Sequence, residues 1–537
     1  MLSPLIDEQL LFAPATPQAD AIPTIFAFPN TYSVGITSLG YQVVWATLAS
    51  QPALQVSRCF TDWQEPLPAS PELLGFSLSW ELDWINLLDL LESLGLPLRS
   101  RDRDQTHPLV FGGGPVLTAN PEPLADFFNV ILLGDGETLL TEFVAAYQAV
   151  RQADRASQLK QLAQVPGVYV PSLYEPVYAD ATGPLQSIEP RDRAIPATVE
   201  KQTYRGNTLA ASTVVTPRAA WESIYMVEVV RSCPEMCRFC LASYLTLPFR
   251  PAALEGSLIP AIDRGLQVTN RLGLLGASIT QHPEFETLLD RLAQPQYDGV
   301  RLSLASVRTG TVTEKLARIL SQRDSRSITI AVESGSERLR QIINKKLHND
   351  EILQAATNAA AGGLQAVKLY GMAGLPGEVE ADLEATVAMM LSLKRTAPKL
   401  RLTLGCSTFV PKAQTPFQWF GLRPEAEKRL KYLQKQLRSR GLEFRPESYK
   451  WSTIQALLAR GDRRLSKLLE QVRQYGSSAG SYRRAFKALG EQLPEMAFYV
   501  HEDWPVDSVL PWSHLQGPLP QATLKKHLAE AQRHFPS

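Results

Sequence analysis

Short apolar runs alternate with stretches whose apolar residues fall at helical spacing, from about residue 22 to about residue 420. Strands that read as continuous apolar runs are buried on both faces, so the alternation predicts parallel sheets covered by helices. The first series opens with the strand "TIFAFP" (24–29) and the helical "GYQVVWATLASQP". Next come the strand "LLGFSLS" and the helix "WINLLDLLESLG", with Gly95 near its end. "PLVFGGGP" (108–115) reads as a strand running into a glycine turn, and "NVILLGDGE" (129–137) as a strand running into Gly134, Asp135, Gly136 and Glu137. This β-α-β-α-β order predicts an α/β domain over 1–175 built on a doubly wound, Rossmann-like sheet. Its glycine turns fall at the carboxyl ends of strands, where such sheets bind ligands. The same glycines also serve simply to allow tight turns.

Residues 176–222 are rich in Pro, Ala, Thr and charge without clear period and read as a linker. A second series follows, with strands expected at 223–232, 272–280, 299–308, 325–334, 365–374 and 400–410 and helical patterns between them. Six strand-plus-helix units over 223–420 predict a partial (β/α)6 or full β/α barrel with its site at the carboxyl rim. From 421 to 537 the period is helical, predicting a helical C-terminal region.

The chain of 537 residues has no formal net charge and is 45% hydrophobic, which excludes a basic nucleic-acid coat and a disordered tail. Neutrality hides one basic segment, because 424–489 carries 16 Lys or Arg against 6 Asp or Glu, Arg463, Arg464 and Lys467 among them. Solvated outer faces of amphipathic helices account for it; the alternative is a footprint for a polyanion such as RNA. The first twenty residues carry acids and prolines rather than a basic start and a long apolar run, so no signal peptide is expected, and no stretch is long and apolar enough for a membrane span. Five cysteines cannot form a disulfide framework in a chain of this size. Their clustering fits a reducing compartment, and a cytoplasmic location is expected.

Three of the five, Cys233, Cys237 and Cys240, stand in "CPEMCRFC" at the end of the first strand of the second series. Structural zinc usually takes four Cys or His ligands, commonly in two separated pairs, and no second pair exists here. A [4Fe-4S] cluster normally takes four thiolates, so three leave one iron open to a small molecule. No acid/base dyad, nucleophile triad or phosphate loop stands out, and no catalytic side chain is assigned.

C-x3-C-x2-C with Phe239 before the last cysteine, at the end of the first strand of a β/α series, resembles the radical S-adenosylmethionine (SAM) enzymes. The resemblance implies that Cys233, Cys237 and Cys240 hold a [4Fe-4S] cluster whose fourth iron takes the amino and carboxylate groups of SAM. One electron from a donor such as a flavodoxin or ferredoxin then cleaves SAM and yields a 5′-deoxyadenosyl radical. "LLGASIT" resembles the segment that meets the SAM amino group, with Gly276-Ala277-Ser278 where many members have a Gly-Gly-Glu type turn; Gly276 and Ser278 are its candidates. "SLASVR" offers Ser306 and Arg308 to the methionine carboxylate, and "AVESGSERLR" offers Glu333 and Ser334 to the ribose. "YGMAGLPGE" resembles the turn along adenine and offers Gly371 to Gly374. Ahead of the barrel, the first domain resembles the cobalamin-binding-type domain of many such enzymes, and the whole layout resembles an uncharacterised subfamily of them. The D-x-H-x-x-G run that supplies a histidine to cobalt is missing, and His107 is the only histidine before residue 280. Either cobalamin binds without a protein ligand, or the sheet persists as a structural or substrate-binding module; the second is favoured here. The expected function is therefore a radical SAM enzyme, with a cobalamin-dependent methyltransferase or an RNA- or ribosome-modifying enzyme as alternatives. A non-catalytic iron-sulfur sensor is the alternative of another class.

Overall fold

In the computed structural model, which describes residues 7–536, the first apolar run becomes β1 (Ile22–Ala27) and the helical pattern after it α1 (Leu39–Ala49). The Ser38 side chain starts α1 by accepting from the Tyr41 amide. A strand that the hydrophobic pattern does not announce follows, β2 (Leu54–Cys59), at the edge of the sheet. Its Arg58 is buried only because Glu8 and Glu65 each pair with it at 2.8 Å. Then come β3 (Leu73–Ser77), α2 (Trp84–Ser93), β4 (Leu109–Gly113), β5 (Val130–Leu132), α3 (Gly136–Val150) and β6 (Val168–Tyr169). The sheet order is β2-β1-β3-β4-β5-β6, parallel except for β6. The order reverses between β1 and β3, so the loops leaving those strands diverge and open a crevice at their carboxyl ends.

Residues 176–222, expected as a linker, carry more structure than their composition announces. Strands β7 (Tyr174–Tyr178) and β8 (Leu185–Pro190) form an antiparallel hairpin. Val214–Val215 pairs with Gln9–Leu10, and Val199–Glu200 pairs with Leu515–Gln516, so the segment is strapped to both ends of the described chain.

The second series forms β9 (Ile224–Arg231), β10 (Arg250–Pro251), α4 (Ile259–Leu266), β11 (Arg271–Gly276), α5 (Phe285–Leu292) and β12 (Arg301–Leu304). It continues through α6 (Glu314–Gln322), β13 (Ser327–Glu333), α7 (Asn349–Ala361), β14 (Ala366–Ala373), α8 (Glu380–Thr396), β15 (Arg401–Thr408), α9 (Ala426–Arg438) and β16 (Glu443–Pro446). The strands make two sheets, β10-β9-β11-β12 and β13-β14-β15-β16, joined by a bridge between Val307 and Ile330. All neighbours run parallel except β10. Alternate residues such as Val227, Leu272, Ile328, Leu369 and Leu404 are buried beneath the helices. Lys368 and Tyr370, on the opposite face of β14, stay exposed. The α/β expectation, a doubly wound sheet followed by a barrel-type series and a mainly helical end, holds.

Helices α10 (Tyr449–Arg460), α11 (Leu465–Tyr475), α12 (Ala479–Leu489) and α13 (Gln521–Gln532) complete the chain. The first three share one continuous hydrophobic core with the N-terminal sheet, where the Trp84 indole donates to the Tyr482 hydroxyl at 2.8 Å. Much of the basic excess is taken up inside this joint. Arg463 donates to Glu122 at 2.9 and 3.0 Å, Arg464 to Asp462 at 2.6 Å and Arg473 to Asp89 at 2.6 Å. Arg460 is buried, with its guanidinium on the Tyr499 and Glu502 carbonyls. Among the described residues no helix is long and apolar enough to cross a membrane.

Candidate functional site

β9 ends at Arg231, and Ser232 takes a positive φ of 71° that turns the chain into the three-cysteine loop. Met236, at φ 56°, makes the second left-handed turn, between Cys233 and Cys237. The loop is clasped from one side by residues 341–344. Asn344 Nδ2 donates to the Glu235 and Met236 carbonyls at 3.1 and 2.9 Å, and Arg238 donates to the Gln341 and Ile342 carbonyls at 2.9 and 2.8 Å. From the other side α13 supplies His527, whose Nδ1 lies 2.8 Å from the Tyr244 hydroxyl, and Glu530, 3.1 Å from Arg238. The Tyr244 hydroxyl donates onward to the Met236 carbonyl at 3.2 Å.

None of the three thiols is in a disulfide, and Cys237 is only 6% exposed. Burial pushes the Cys237 thiol up to about 12, with the nearby Cys240, Glu333 and Cys233 adding to the rise and Lys345 opposing it. Burial also raises Cys240. Thiols so placed give up their protons readily only to a metal. Three free thiols in one loop are a donor set that fits a cluster, in which each thiolate takes its own iron.

The other expected site residues fall around this loop. Gly276 ends β11 at φ 148°, where a Cβ would lie 2.6 Å from the Val230 carbonyl oxygen, so only glycine lets β11 close on β9. Ser278 is buried and bonded to Gln281, whose amide donates to Glu235 at 2.5 Å. Arg308 pairs with the same Glu235 and donates to the Lys346 carbonyl at 2.9 Å, while Ser306 lies half-buried beside it. Glu333 ends β13 at φ 63° and pairs with Lys345 at 3.0 Å. The Ser334 hydroxyl is engaged within its own turn, accepting from the Ser336 amide at 3.1 Å. Gly371 pairs across β13 with Glu333 and across β15 with Cys406. Gly374, at φ 82°, donates to the Glu378 carboxylate at 2.6 Å. Burial pushes Glu378 up to about 7 against the pull of Arg429. Glu235, Lys345 and His527 escaped the sequence reading, because nothing in their local spacing distinguishes them from surface residues.

A cavity of about 480 Å³ opens between the carboxyl ends of the N-terminal sheet and the mouth of the barrel. Phe26 of β1, Phe76 of β3 and Phe111 of β4 line its sheet side, Val43 and Thr47 of α1 one flank, and Gly276 and Ala277 its barrel side. It also reaches Ser232 and Ala242, which flank the cysteine loop. One corner is charged. Asp135 pairs with Arg250 at 2.6 Å, and Arg231 pairs with Glu137 and with Glu228, each at 2.7 Å. Burial alone would raise the Asp135 carboxyl, but Lys201, Arg231 and Arg250 together hold it below the usual range. His107 precedes β4, at the opposite end of that strand from the cavity, and is bonded to Asp104 at 2.8 Å in an exposed loop.

A barrel-type β/α series carrying three free thiols at the end of its first strand, with a cavity alongside, is an arrangement suited to an iron-sulfur cluster beside a small-molecule site. Residues 227–390 match the family described as "Radical SAM superfamily", and residues 64–171 match "Radical SAM proteins, N-terminal". The chain thus carries, over residues 227–390, the domain of the radical SAM superfamily. It is an enzyme whose cofactors are a [4Fe-4S] cluster and SAM and whose activity is reductive cleavage of SAM to the 5′-deoxyadenosyl radical, driven by a one-electron donor. A curated relative, the uncharacterized protein MJ0966 of Methanocaldococcus jannaschii, is 26% identical over 447 residues, 82% of this chain and 89% of its own. Among solved structures, the radical SAM methyltransferase TsrM from Kitasatospora setae, with cobalamin and a [4Fe-4S] cluster bound, shares the fold at TM-score 0.54 and 13% identity, covering 87% of this chain and 100% of its own. The cobalamin-dependent SAM radical enzyme OxsB, with aqua-cobalamin and SAM bound, aligns at TM-score 0.48 and 11% identity over 95% of this chain and 79% of its own.

Proposed function

We propose that the interdomain cavity takes a corrinoid, cobalamin held without a protein ligand on cobalt, and that the enzyme transfers a methyl group to a substrate activated by hydrogen abstraction. This reverses the choice made from the sequence, and the cavity itself is the observation that carries it. The cavity sits at the reversal point of strand order, where open sheets bind cofactors. Gly113, at the end of β4, leaves space on its cavity side, since the nearest atom a Cβ would meet is 3.6 Å away. No histidine lines it, which fits a cobalt without a side-chain ligand. When bound, cobalamin supplies a methyl-carrying cobalt, while the cluster and SAM supply the radical. The likeness to a protein solved with both cofactors bound supports the reading.

In the same reading, Cys233, Cys237 and Cys240 hold three irons, Gly276 and Ser278 lie near the SAM amine, Arg308 and Ser306 near its carboxylate, Glu333 and Ser334 near its ribose, and Gly371 to Gly374 near adenine. The phenylalanines of β1, β3 and β4 offer apolar contact to the corrinoid, and Asp135, Glu137 and Arg231 offer polar contact to its amides. Domain limits of 1–175, 176–222, 223–420 and 421–537 and a cytoplasmic location belong to this proposal.

Protein purified from cells supplied with the vitamin should carry stoichiometric cobalt and show the corrinoid absorption bands. A Gly113→Leu variant should keep its iron and lose the cobalt, and Cys237→Ala should lose SAM cleavage. Iron-replete protein that takes up no cobalt and cleaves SAM at an unchanged rate with or without cobalamin would sink the corrinoid reading.

An RNA or ribosomal substrate is the second reading. It rests on the exposed cations Lys428, Lys435, Lys450, Lys467, Arg483 and Lys487, which form no ion pair among the described residues. Reversing Lys467 and Lys487 should weaken RNA binding and flatten its salt dependence; RNA binding that is unaffected removes this reading.

A further inference from the structure

Lys345, paired with Glu333 against the cysteine loop, has no part in the chemistry described so far. Lys345 is held there by its backbone. Asn344 and Lys346 on either side take positive φ values of 57° and 47°, and the Lys345 amide donates to the Arg340 carbonyl at 2.8 Å. The Asn344 carbonyl lies 3.8 Å from Cys237 Sγ, and its side-chain amide holds the loop carbonyls before Cys237. The Lys345 side chain is 16% exposed and the Glu333 side chain 10%. Lys345 is therefore a cation fixed by its backbone turn next to the residue that touches Cys237, and among the described residues its only carboxylate partner is Glu333, the residue assigned to the SAM ribose.

Reduction of the cluster adds one electron, taken from a flavodoxin- or ferredoxin-class donor that is oxidised by one electron, with no bond or proton change. The cluster and its thiolates become more negative by one charge. A buried cation nearby stabilises that product, and a carboxylate paired to the cation screens it. We propose that Lys345 sets the reduction potential of the cluster and that Glu333 gates it. With the SAM site empty, Glu333 screens the ammonium. When ribose hydroxyls engage the carboxylate, Lys345 acts on the cluster at full strength, and reduction is favoured only where SAM is present to be cleaved. The inference rests on Glu333 lying at the ribose.

Redox titration of the reconstituted full-length protein, followed by electron paramagnetic resonance, tests it. Lys345→Met should lower the reduction equilibrium by at least about tenfold, which is about 59 mV for one electron. Glu333→Gln should raise it by a similar factor, the double variant should return close to wild type, and Lys345→Arg should match wild type. S-adenosylhomocysteine, which carries the ribose without a cleavable sulfonium, should raise the potential of the wild type and leave that of Glu333→Gln unmoved. Shifts of the two single variants in the same direction, or no shift in either, overturn the proposal while the cluster assignment stands. An analogue effect undiminished in Glu333→Gln overturns the gating. A wild-type protein that assembles no [4Fe-4S] cluster overturns the cluster assignment itself, and this inference with it.

Discussion

Replacing Arg463 with methionine tests the joint between the N-terminal sheet and the C-terminal helices. Glu122 is 1% exposed and receives Arg463 through Nε at 2.9 Å and Nη2 at 3.0 Å, with the Tyr169 hydroxyl at 2.6 Å. Arg463 also donates to the Pro171 and Tyr174 carbonyls at 3.0 and 2.9 Å. Methionine matches the stem but strands a buried carboxylate, a loss of about 3–5 kcal/mol. A chain with several domains has no single unfolding free energy, so the assay is the urea midpoint of tryptophan fluorescence together with the rate of unfolding at fixed temperature. Burial pushes the Glu122 carboxyl up and Arg463 outweighs it, holding the group below the usual carboxylate range. Its contribution in the wild type is therefore complete above the unfolded value of about 4.3 and is lost only as pH falls through the lower folded value. In Arg463→Met the same carboxyl moves up and takes a proton, so the gap between variant and wild type should be wider at pH 8 than at pH 5. Adding Glu122→Gln should recover at least half of the loss, because no charge is then left unpaired. An unchanged midpoint, or a gap independent of pH, refutes the reasoning.

Gly134→Ala should unfold the sheet edge, with a loss of about 2 kcal/mol or more, because its φ is 120° and a Cβ would stand 2.0 Å from the Gln202 carbonyl oxygen; thermal melting reads this directly. Tyr244→Phe removes the donor to the Met236 carbonyl, worth about 1 kcal/mol, and should speed iron release to a chelator severalfold with circular dichroism unchanged. Burial holds His514 down at about 4, so its neutral form stabilises the fold fully above about pH 6.5 and progressively less as pH falls toward 4, by about 3 kcal/mol over that window. His514→Gln should flatten the acid limb of a urea-midpoint profile; a profile identical to wild type removes this role.

The cysteine triad and the two α/β series were legible because their signals are local: thiol spacing, apolar runs and glycine turns. β2 was not, since a strand at the sheet edge with Gln55, Ser57 and Arg58 breaks the apolar run, and Arg58 is tolerated there only through Glu8 and Glu65. The basic count over 424–489 reads as solvated helix faces, with a polyanion footprint as the alternative, yet Arg463 meets a buried partner 341 residues away, a distance no window along the chain can span. Lys345 was invisible for the same reason, as its meaning comes from the cysteine loop and a carboxylate on other elements. The cavity was hinted at by the glycines after β4 and β5, but its apolar walls on α1 and its floor on β11 required the two domains to meet.

Because the first sheet completes its packing with helices near the far end of the chain, nascent protein leaving the ribosome cannot finish its first domain when that domain is made. About three hundred residues separate α3 from α10, on the order of tens of seconds of translation, during which the surface later covered by those helices faces water. Synthesis in the cell should therefore lean on a holding chaperone, and a fragment ending after the barrel should precipitate rather than yield a smaller working enzyme.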